Sequence, residues 1–369
     1  MVPIALATAV VDAQGRGPAN TGTQPAIDKT HGKLVSIGCD AKSPRGGVQP
    51  SGRRREVVVN GRRVKTVDIH AHCGFQEAYA LLGLNIDSES LVVAEDRIQA
   101  MDAQGIDIEA LSINPFWYTA AREIAQALIK MQNERLAELC ATHPDRFVAF
   151  ATVAMQFPDL AVQQLDDGVR KLGLRGMSVG THVGMDELSN PKFHPIWAKA
   201  EELGCLVFMH PISTQEFDRR LRGNGGLDNI IGNPLETTIA LSHMIFEGTL
   251  DRYPGLKLCA SHGGGYLPSY AARSDAGCVA YPGSCAAVRL KKKPSEYLRQ
   301  VFYDSIVFTD EAMRHLIAEV GASQIMMGTD HPYPWENRAV DHILDLPGLT
   351  EDERAALLGD TALRLLGIH

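Results

Sequence analysis

The sequence predicts an α/β protein: a (β/α)8 TIM barrel with an N-terminal extension. Three observations carry that prediction. From Lys65 onward, short runs rich in β-branched residues alternate with longer stretches of helical spacing. The alternation yields eight strand candidates, each followed by a helix candidate or a long loop, and repeated βα units imply parallel strands with helices outside. Residues able to do chemistry fall at the C-terminal ends of several of these runs, where a barrel gathers its site. An open doubly wound sheet is the alternative, but no G-x-G-x-x-G follows an early strand candidate.

Residues 1–55 read as an extended arm, because "GRGPANTGTQPA" and "AKSPRGGVQPSGRRR" are rich in loop formers and lack periodicity. "KLVSIGC", from Lys33 to Cys39, is a candidate isolated strand within it. The cluster Arg53, Arg54 and Arg55 is expected on a solvated surface, with a subunit contact as the sharper alternative. The barrel is expected over 56–369. It opens with a hairpin, since Asn60-Gly61 between two β-branched runs supplies the positive φ angles of a type I′ turn. Barrel strands are expected in "KTVDIHAH", "IEALSIN", "FVAFATV", "GMSVGTHV", "CLVFMHP", "KLCASHG", "VFYDSIV" and "QIMMGTD". Helices are expected in "AEDRIQAMDAQG", "AAREIAQALIKMQNERLAELCATH", "DLAVQQLDDGVRKLG", "FHPIWAKAEELG", "ETTIALSHMIFEGTLDRYP" and "DEAMRHLIAEVG", and a last one in "TEDERAALLGDTALRLLG". Several close on Gly, the usual C-terminal stop.

Apolar residues make up 45% of the 369, enough to bury a large core. The formal charge of -8 argues against nucleic acid or an acidic membrane surface as partner, while a few local arginines could still hold a small anion. Seven cysteines, an odd number with no C-x-x-C pair, argue against a disulfide framework or a zinc knuckle and point to a reducing cytoplasm. "MVPIALATAVVDAQG" lacks a basic n-region and its apolar part is short, so no secretory signal is expected. No apolar run approaches the length of a membrane span.

The first strand candidate ends in His70 and His72, the fifth in His210, the sixth in His262 and the eighth in Asp330. Side chains two apart on a strand point the same way, so His70 and His72 can reach one point. With His210 and Asp330 they form a three-imidazole, one-carboxylate set for one divalent ion, zinc first, with manganese or iron as alternatives. Singly these signals are weak: an isolated H-x-H is usually incidental, and an Asp after Gly-Thr often caps a turn. Their joint placement on different strands is what points to a metal. His182 is expected to support the site from outside, Asp304 to orient a ligand histidine or a loop, and Glu236 to sit at a helix N-terminus. Asp68 should share the strand face of His70 deeper in the barrel, and His331 should point away from the metal. In "NPFWYTAA", Phe116, Trp117 and Tyr118 either stack on a flat conjugated substrate or pack beneath their loop.

"DIHAH", "GTHV", "ELSNPKFHPIWAKAEELGCLVFMHP", "NPLETTIAL", "YPGLKLCASHGGGYLP" and "GTDHPYPWE", in this order from about Lys65 to Gly367, resemble the amidohydrolase-related (amidohydrolase 2) metal-dependent decarboxylase family. The resemblance implies a barrel of the metal-dependent hydrolase type holding one divalent metal, usually zinc. It implies His70, His72, His210 and Asp330 as ligands and His262 as the catalytic histidine beside them. It also implies a homodimer, in which Arg273 crosses to the neighbouring subunit to bind a substrate carboxylate. Two motifs differ from the relatives: "HPIS" stands in place of "HPWD", and "LNIDSESLVVAED" lacks their substrate-binding arginine, while Arg97 matches a helix arginine. The expected activity is non-oxidative decarboxylation of an aromatic or unsaturated, muconate-like carboxylic acid. Either His262 or Asp330 would carry the proton that replaces CO2. A hydrolase in the same barrel and a non-catalytic, metal-stabilised binding protein are the competing expectations.

Overall fold

All eight β-rich runs form parallel strands in the computed structural model, which describes residues 54–86, 91–212, 217–333, 335 and 338–369. The hairpin comes first: β1 (Val57–Val59) pairs antiparallel with β2 (Arg62–Val64). Asn60 and Gly61 have φ angles of 48° and 73°, the left-handed pair the turn demands. The barrel strands are β3 (Val67–His72), β4 (Ile108–Ser112), β5 (Phe147–Ala149), β6 (Gly176–Val179), β9 (Leu206–Met209), β10 (Lys257–Ala260), β11 (Phe302–Asp304) and β12 (Ile325–Met326). A short hairpin of β7 (His182–Val183) and β8 (Asp186–Glu187) stands above β6.

The helices are α1 (Gln76–Ala80), α2 (Glu95–Gln104), α3 (Arg122–Thr142), α4 (Pro158–Arg170), α5 (His194–Leu203), α6 (Asp218–Leu221), α7 (Asn233–Phe246) and α8 (Thr249–Arg252). They continue with α9 (Leu267–Ala280), α10 (Asp310–Val320), α11 (Ala339–Asp345), α12 (Glu351–Ala355) and α13 (Thr361–Leu366). The periodicity did not reveal α9. Its fourteen residues, "LPSYAARSDAGCVA", bury only Leu267, Pro268 and Ala271, so no apolar stripe runs its length.

Hydrogen bonds order the strands as β3-β4-β5 and as β6-β9-β10-β11-β12, with every pair parallel. Bridges at Ala151 with Met177 and at Ala71 with His331 join the two sheets into a ring. Val67, Ile69, Ile108, Ala110, Phe150, Leu206, Phe208 and Met326 fill the interior, together with Ala362, Leu365 and Leu366 of α13. Alternate residues, such as Leu111, Val207 and Leu258, face the helices in a second core.

The pairing of β3 with β4 shifts register between Asp68 and Ala71. Ile69 packs in the interior cluster, and the next residue, His70, lies with its ring 5.0 Å from that of the interior Phe208. Two consecutive residues thus turn inward, as a bulge allows. The face shared by Asp68 and His70 is therefore not formed. Asp68 instead accepts from the backbone N–H groups of His70 (3.0 Å) and Thr329 (3.1 Å) and from the Thr329 hydroxyl, tying β3 to the segment after β12.

The basic cluster also departs from expectation. Arg54 Nη2 donates to the Asp107 carbonyl (2.8 Å) and Arg55 pairs with Asp341, so these side chains pin the segment before β1 to the barrel. Arg53 and the candidate strand from Lys33 to Cys39 lie outside the described residues. Although the cysteine count argues against a disulfide framework, Cys278 and Cys285 form one disulfide. The turn after α9 folds back and brings their Cα atoms to 4.5 Å. Cys73, Cys140, Cys205 and Cys259 are free.

Candidate metal centre

His70 and His72 leave β3 toward the same point because they are two apart beyond the bulge. His210 follows β9 directly, His262 lies two residues past β10, and Asp330 lies four past β12. Backbone bonds lock the seam between the first and last of these: Asp330 N–H donates to His70 O (2.8 Å) and His72 N–H to His331 O (2.6 Å).

His70 Nε2 lies 3.0 Å from His72 Nε2 and 3.1 Å from Asp330 Oδ1, and His72 Nε2 lies 2.9 Å from the same oxygen. The His210 ring stands 4.7 Å from His72 and 5.0 Å from His70. Ligand atoms of His70, His210, His262 and Asp330 all fall within 4.8 Å of one another. His262 therefore also reaches the cluster, with its Nε2 3.8 Å from Asp330 Oδ2, farther than the 2.9 and 3.1 Å of His72 and His70. Both His262 and Asp330 sit at positive φ, 54° and 62°, a conformation costing a non-glycine residue about 1–2 kcal/mol.

The far nitrogens of three rings are already engaged. His70 Nδ1 bonds Asp304 Oδ2 at 2.6 Å, and His210 Nδ1 donates to the Pro211 carbonyl at 2.9 Å. His72 Nδ1 meets Ser112 Oγ at 3.1 Å, and that hydroxyl donates to Ala71 O, leaving its lone pairs for the ring. Each Nε2 lone pair then faces the centre, as metal-binding imidazoles require. Two such nitrogens 3.0 Å apart repel unless a proton or a cation lies between them.

The charges agree. Burial pushes His210 well below the usual histidine range, and its histidine neighbours add to this. Burial also takes His72 down to about 4, against the pull of Asp330. Burial opposes charge on His70 as well, but Asp330 and the bonds to Asp304 and Asp330 outweigh it and raise it to about 10. Desolvation works against ionising Asp330, yet the surrounding imidazoles hold it well below the carboxylate range. A buried anion facing nitrogen lone pairs is a setting that one divalent cation satisfies, so the donor set fits a metal.

The other expected positions divide. Asp304 accepts from His70 Nδ1 and from the N–H groups of His262 (2.8 Å), Gly263 (2.9 Å) and Ile306 (3.1 Å), so it orients both a candidate ligand and the loop that carries His262. In that loop Gly265 has φ 66°, and a Cβ there would lie 2.1 Å from Pro234 O. His182 Nδ1 donates to Gly184 O, and its Nε2 is 3.7 Å from Glu236 Oε2 at the start of α7. Ser112, which orients His72, was not anticipated, although its place at the end of β4 is the same signal that marked the ligands.

Trp117 is corrected: it is 0% exposed and its Nε1–H bonds the Val153 carbonyl at 3.0 Å, so it packs under its loop. Phe116 stacks on Tyr79, with centroids 3.9 Å apart, and Tyr118 Oη accepts from Gly180 N–H. The cavity reaching the centre, about 360 Å3, is walled instead by Ile230, Pro234, Tyr266, Phe308 and Trp335 with His262 and Asp330. Trp117→Phe is expected to cost about 2 kcal/mol in denaturant unfolding, through the orphaned carbonyl, with KM unchanged.

Residues 67–368 match the family described as Amidohydrolase, a span that holds every residue of this centre. The chain belongs to the amidohydrolase family. This amidohydrolase is 33% identical over 275 residues to the 2-amino-3-carboxymuconate-6-semialdehyde decarboxylase of Dictyostelium discoideum, covering 74% of this chain and 76% of that one. It is 29% identical over 297 residues to the gamma-resorcylate decarboxylase of Rhizobium sp. strain MTP-10005, covering 74% and 87%. Among solved structures it is similar to the 5-carboxyvanillate decarboxylase of Sphingomonas paucimobilis, with a TM-score of 0.77 and 26% identity over 83% of this amidohydrolase and 100% of that chain.

Proposed function

We propose that this amidohydrolase is a metal-dependent, non-oxidative decarboxylase, a carbon–carbon lyase acting on an aromatic or unsaturated carboxylic acid. The observation that carries the reading is the meeting of His70, His72, His210 and Asp330 at one point beneath an open cavity. These four residues would hold the cation, zinc first for three nitrogens and one oxygen, with manganese or iron next. When bound, it supplies Lewis acidity toward the substrate's oxygens.

Loss of CO2 breaks the bond between carbon and carboxylate and leaves its electron pair on carbon, where a proton must arrive. His262 suits that delivery. It lines the cavity, its Nδ1 has no hydrogen-bond partner among the described residues, and its Nε2 is 3.8 Å from Asp330 Oδ2. Asp330 is held by two ligand imidazoles and is the less mobile proton carrier.

Arg273 is exposed on α9, as is Tyr270 one turn before it. That exposed pair, an aromatic one turn from a cation, supports a homodimer in which Arg273 serves the neighbouring site. Arg273→Ala should raise KM roughly tenfold with the melting temperature unchanged, measured by steady-state kinetics and thermal unfolding. No described helix is long and apolar enough to cross a membrane. A cytoplasmic setting rests on the four free cysteines, and the Cys278–Cys285 disulfide stands against it.

The test joins elemental analysis to a CO2-release screen over carboxylated phenols and muconates. One divalent ion per chain, lost in His70→Ala, and CO2 formed in step with a decarboxylated product are expected. Turnover by metal-free protein, or a product that keeps its carboxylate and gains water, would defeat the reading; the latter marks a hydrolase.

A further inference from the structure

Four non-glycine residues have positive φ among the described residues: Asn60, His262, Asp330 and Phe308. Asn60 makes the hairpin turn, and His262 and Asp330 belong to the metal centre. Phe308, at φ 63°, has no such explanation so far. A bulky aromatic in this conformation is an outlier that persists only where its surroundings impose it.

The surroundings do impose it. Asp304, which holds His70, also accepts from Ile306 N–H at 3.1 Å. Val307 N–H then donates to Ser305 O and Thr309 N–H to Val307 O, both at 2.9 Å. Thr309 Oγ1 caps α10 by accepting from Ala312 N–H. The five residues between Asp304 and α10 are thus fixed at both ends, with Phe308 held left-handed between them. Core packing is not the reason, because Phe308 is 52% exposed. Its ring walls the cavity that reaches His262 and Asp330, in company with Ile230, Pro234 and Trp335.

We propose that Phe308 is a specificity-determining residue: it presents a fixed aromatic face against which the substrate's ring stacks, so that the site selects aromatic over open-chain acids. The proposal rests on the decarboxylase reading and deepens it by naming the substrate class. Strain in the loop buys a rigid wall, and stacking on it rewards a flat ring more than a flexible diene of equal charge.

The test measures binding without turnover. Manganese-loaded wild type, Phe308→Gly and Phe308→Leu are titrated calorimetrically with salicylate and with sorbate, an open-chain dienoate. Salicylate Kd should rise about tenfold in Phe308→Gly and about threefold in Phe308→Leu, while sorbate changes less than twofold. The melting temperature of Phe308→Gly should equal or exceed wild type, because glycine adopts this backbone freely. Salicylate that does not bind wild type, binds Phe308→Gly as tightly as wild type, or weakens in parallel with sorbate overturns the proposal. A folded Phe308→Leu that binds salicylate like wild type does the same, whatever the glycine variant's yield. A protein that holds salicylate through Phe308 yet releases CO2 from no carboxylated phenol would sink the decarboxylase reading instead.

Discussion

Asp304→Asn is expected to lose divalent metal before it loses its fold. The carboxylate is fully buried at the end of β11 and serves four donors. Two of them, His70 Nδ1 and His262 N–H, converge on Oδ2. If an amide NH2 takes that place, donor meets donor, and His70 loses the contact that fixes its ring. If the amide turns over, the same clash falls on Gly263 and Ile306. Supporting hydrogen bonds of this kind are worth about 10–100-fold in metal affinity. Competition against a chromogenic chelator should show a fall in that range, and chemical denaturation a loss of about 2–3 kcal/mol for the buried mismatch. Unchanged metal affinity in a folded variant would remove Asp304 from the centre.

Arg97→Met should produce the largest loss of stability. Arg97 Nε lies 2.7 Å from Glu109 Oε2 with both side chains almost wholly buried, and Arg97 Nη1 donates to His72 O at 2.7 Å. Removing the guanidinium strands a buried carboxylate next to Asp68, whose own acidity burial and Glu109 already weaken, raising it to about 7. Breaking such a pair from one side costs about 3–5 kcal/mol. Urea unfolding should report that loss, and a variant that also changes Glu109 to leucine should recover most of it. Because the same arginine holds the carbonyl of His72, metal retention should fall in the single variant.

Much of the barrel was legible because most strands are short, compact apolar runs, and local composition suffices for that. The convergence of the candidate ligands was legible for a related reason: parallel strands bring their ends together, so residues distant in sequence share one rim. What escaped depended on geometry that composition does not encode. The bulge at Ile69 and His70 moves Asp68 to the other face, and period-two alternation cannot signal a register shift. Trp117 turns inward between two aromatic neighbours, and nothing in "PFWY" distinguishes which ring is buried. Helix α9 escaped because little of it is buried. Phe308 looked like an ordinary apolar residue after a strand, since its distinguishing property is a backbone angle.

The seam between β3 and the segment after β12 also sets a timetable for biosynthesis. His72 and Asp330 stand 258 positions apart, yet they meet across that seam. At a translation rate of roughly 5–20 residues per second, Asp330 is made about 13–52 s after His72. Until then a growing chain offers passing ions imidazoles alone, first the pair on β3 and later His210 and His262. Assembly of the full donor set therefore waits for Asp330, and a ribosome that stalls before that codon releases a product lacking the one carboxylate of the set.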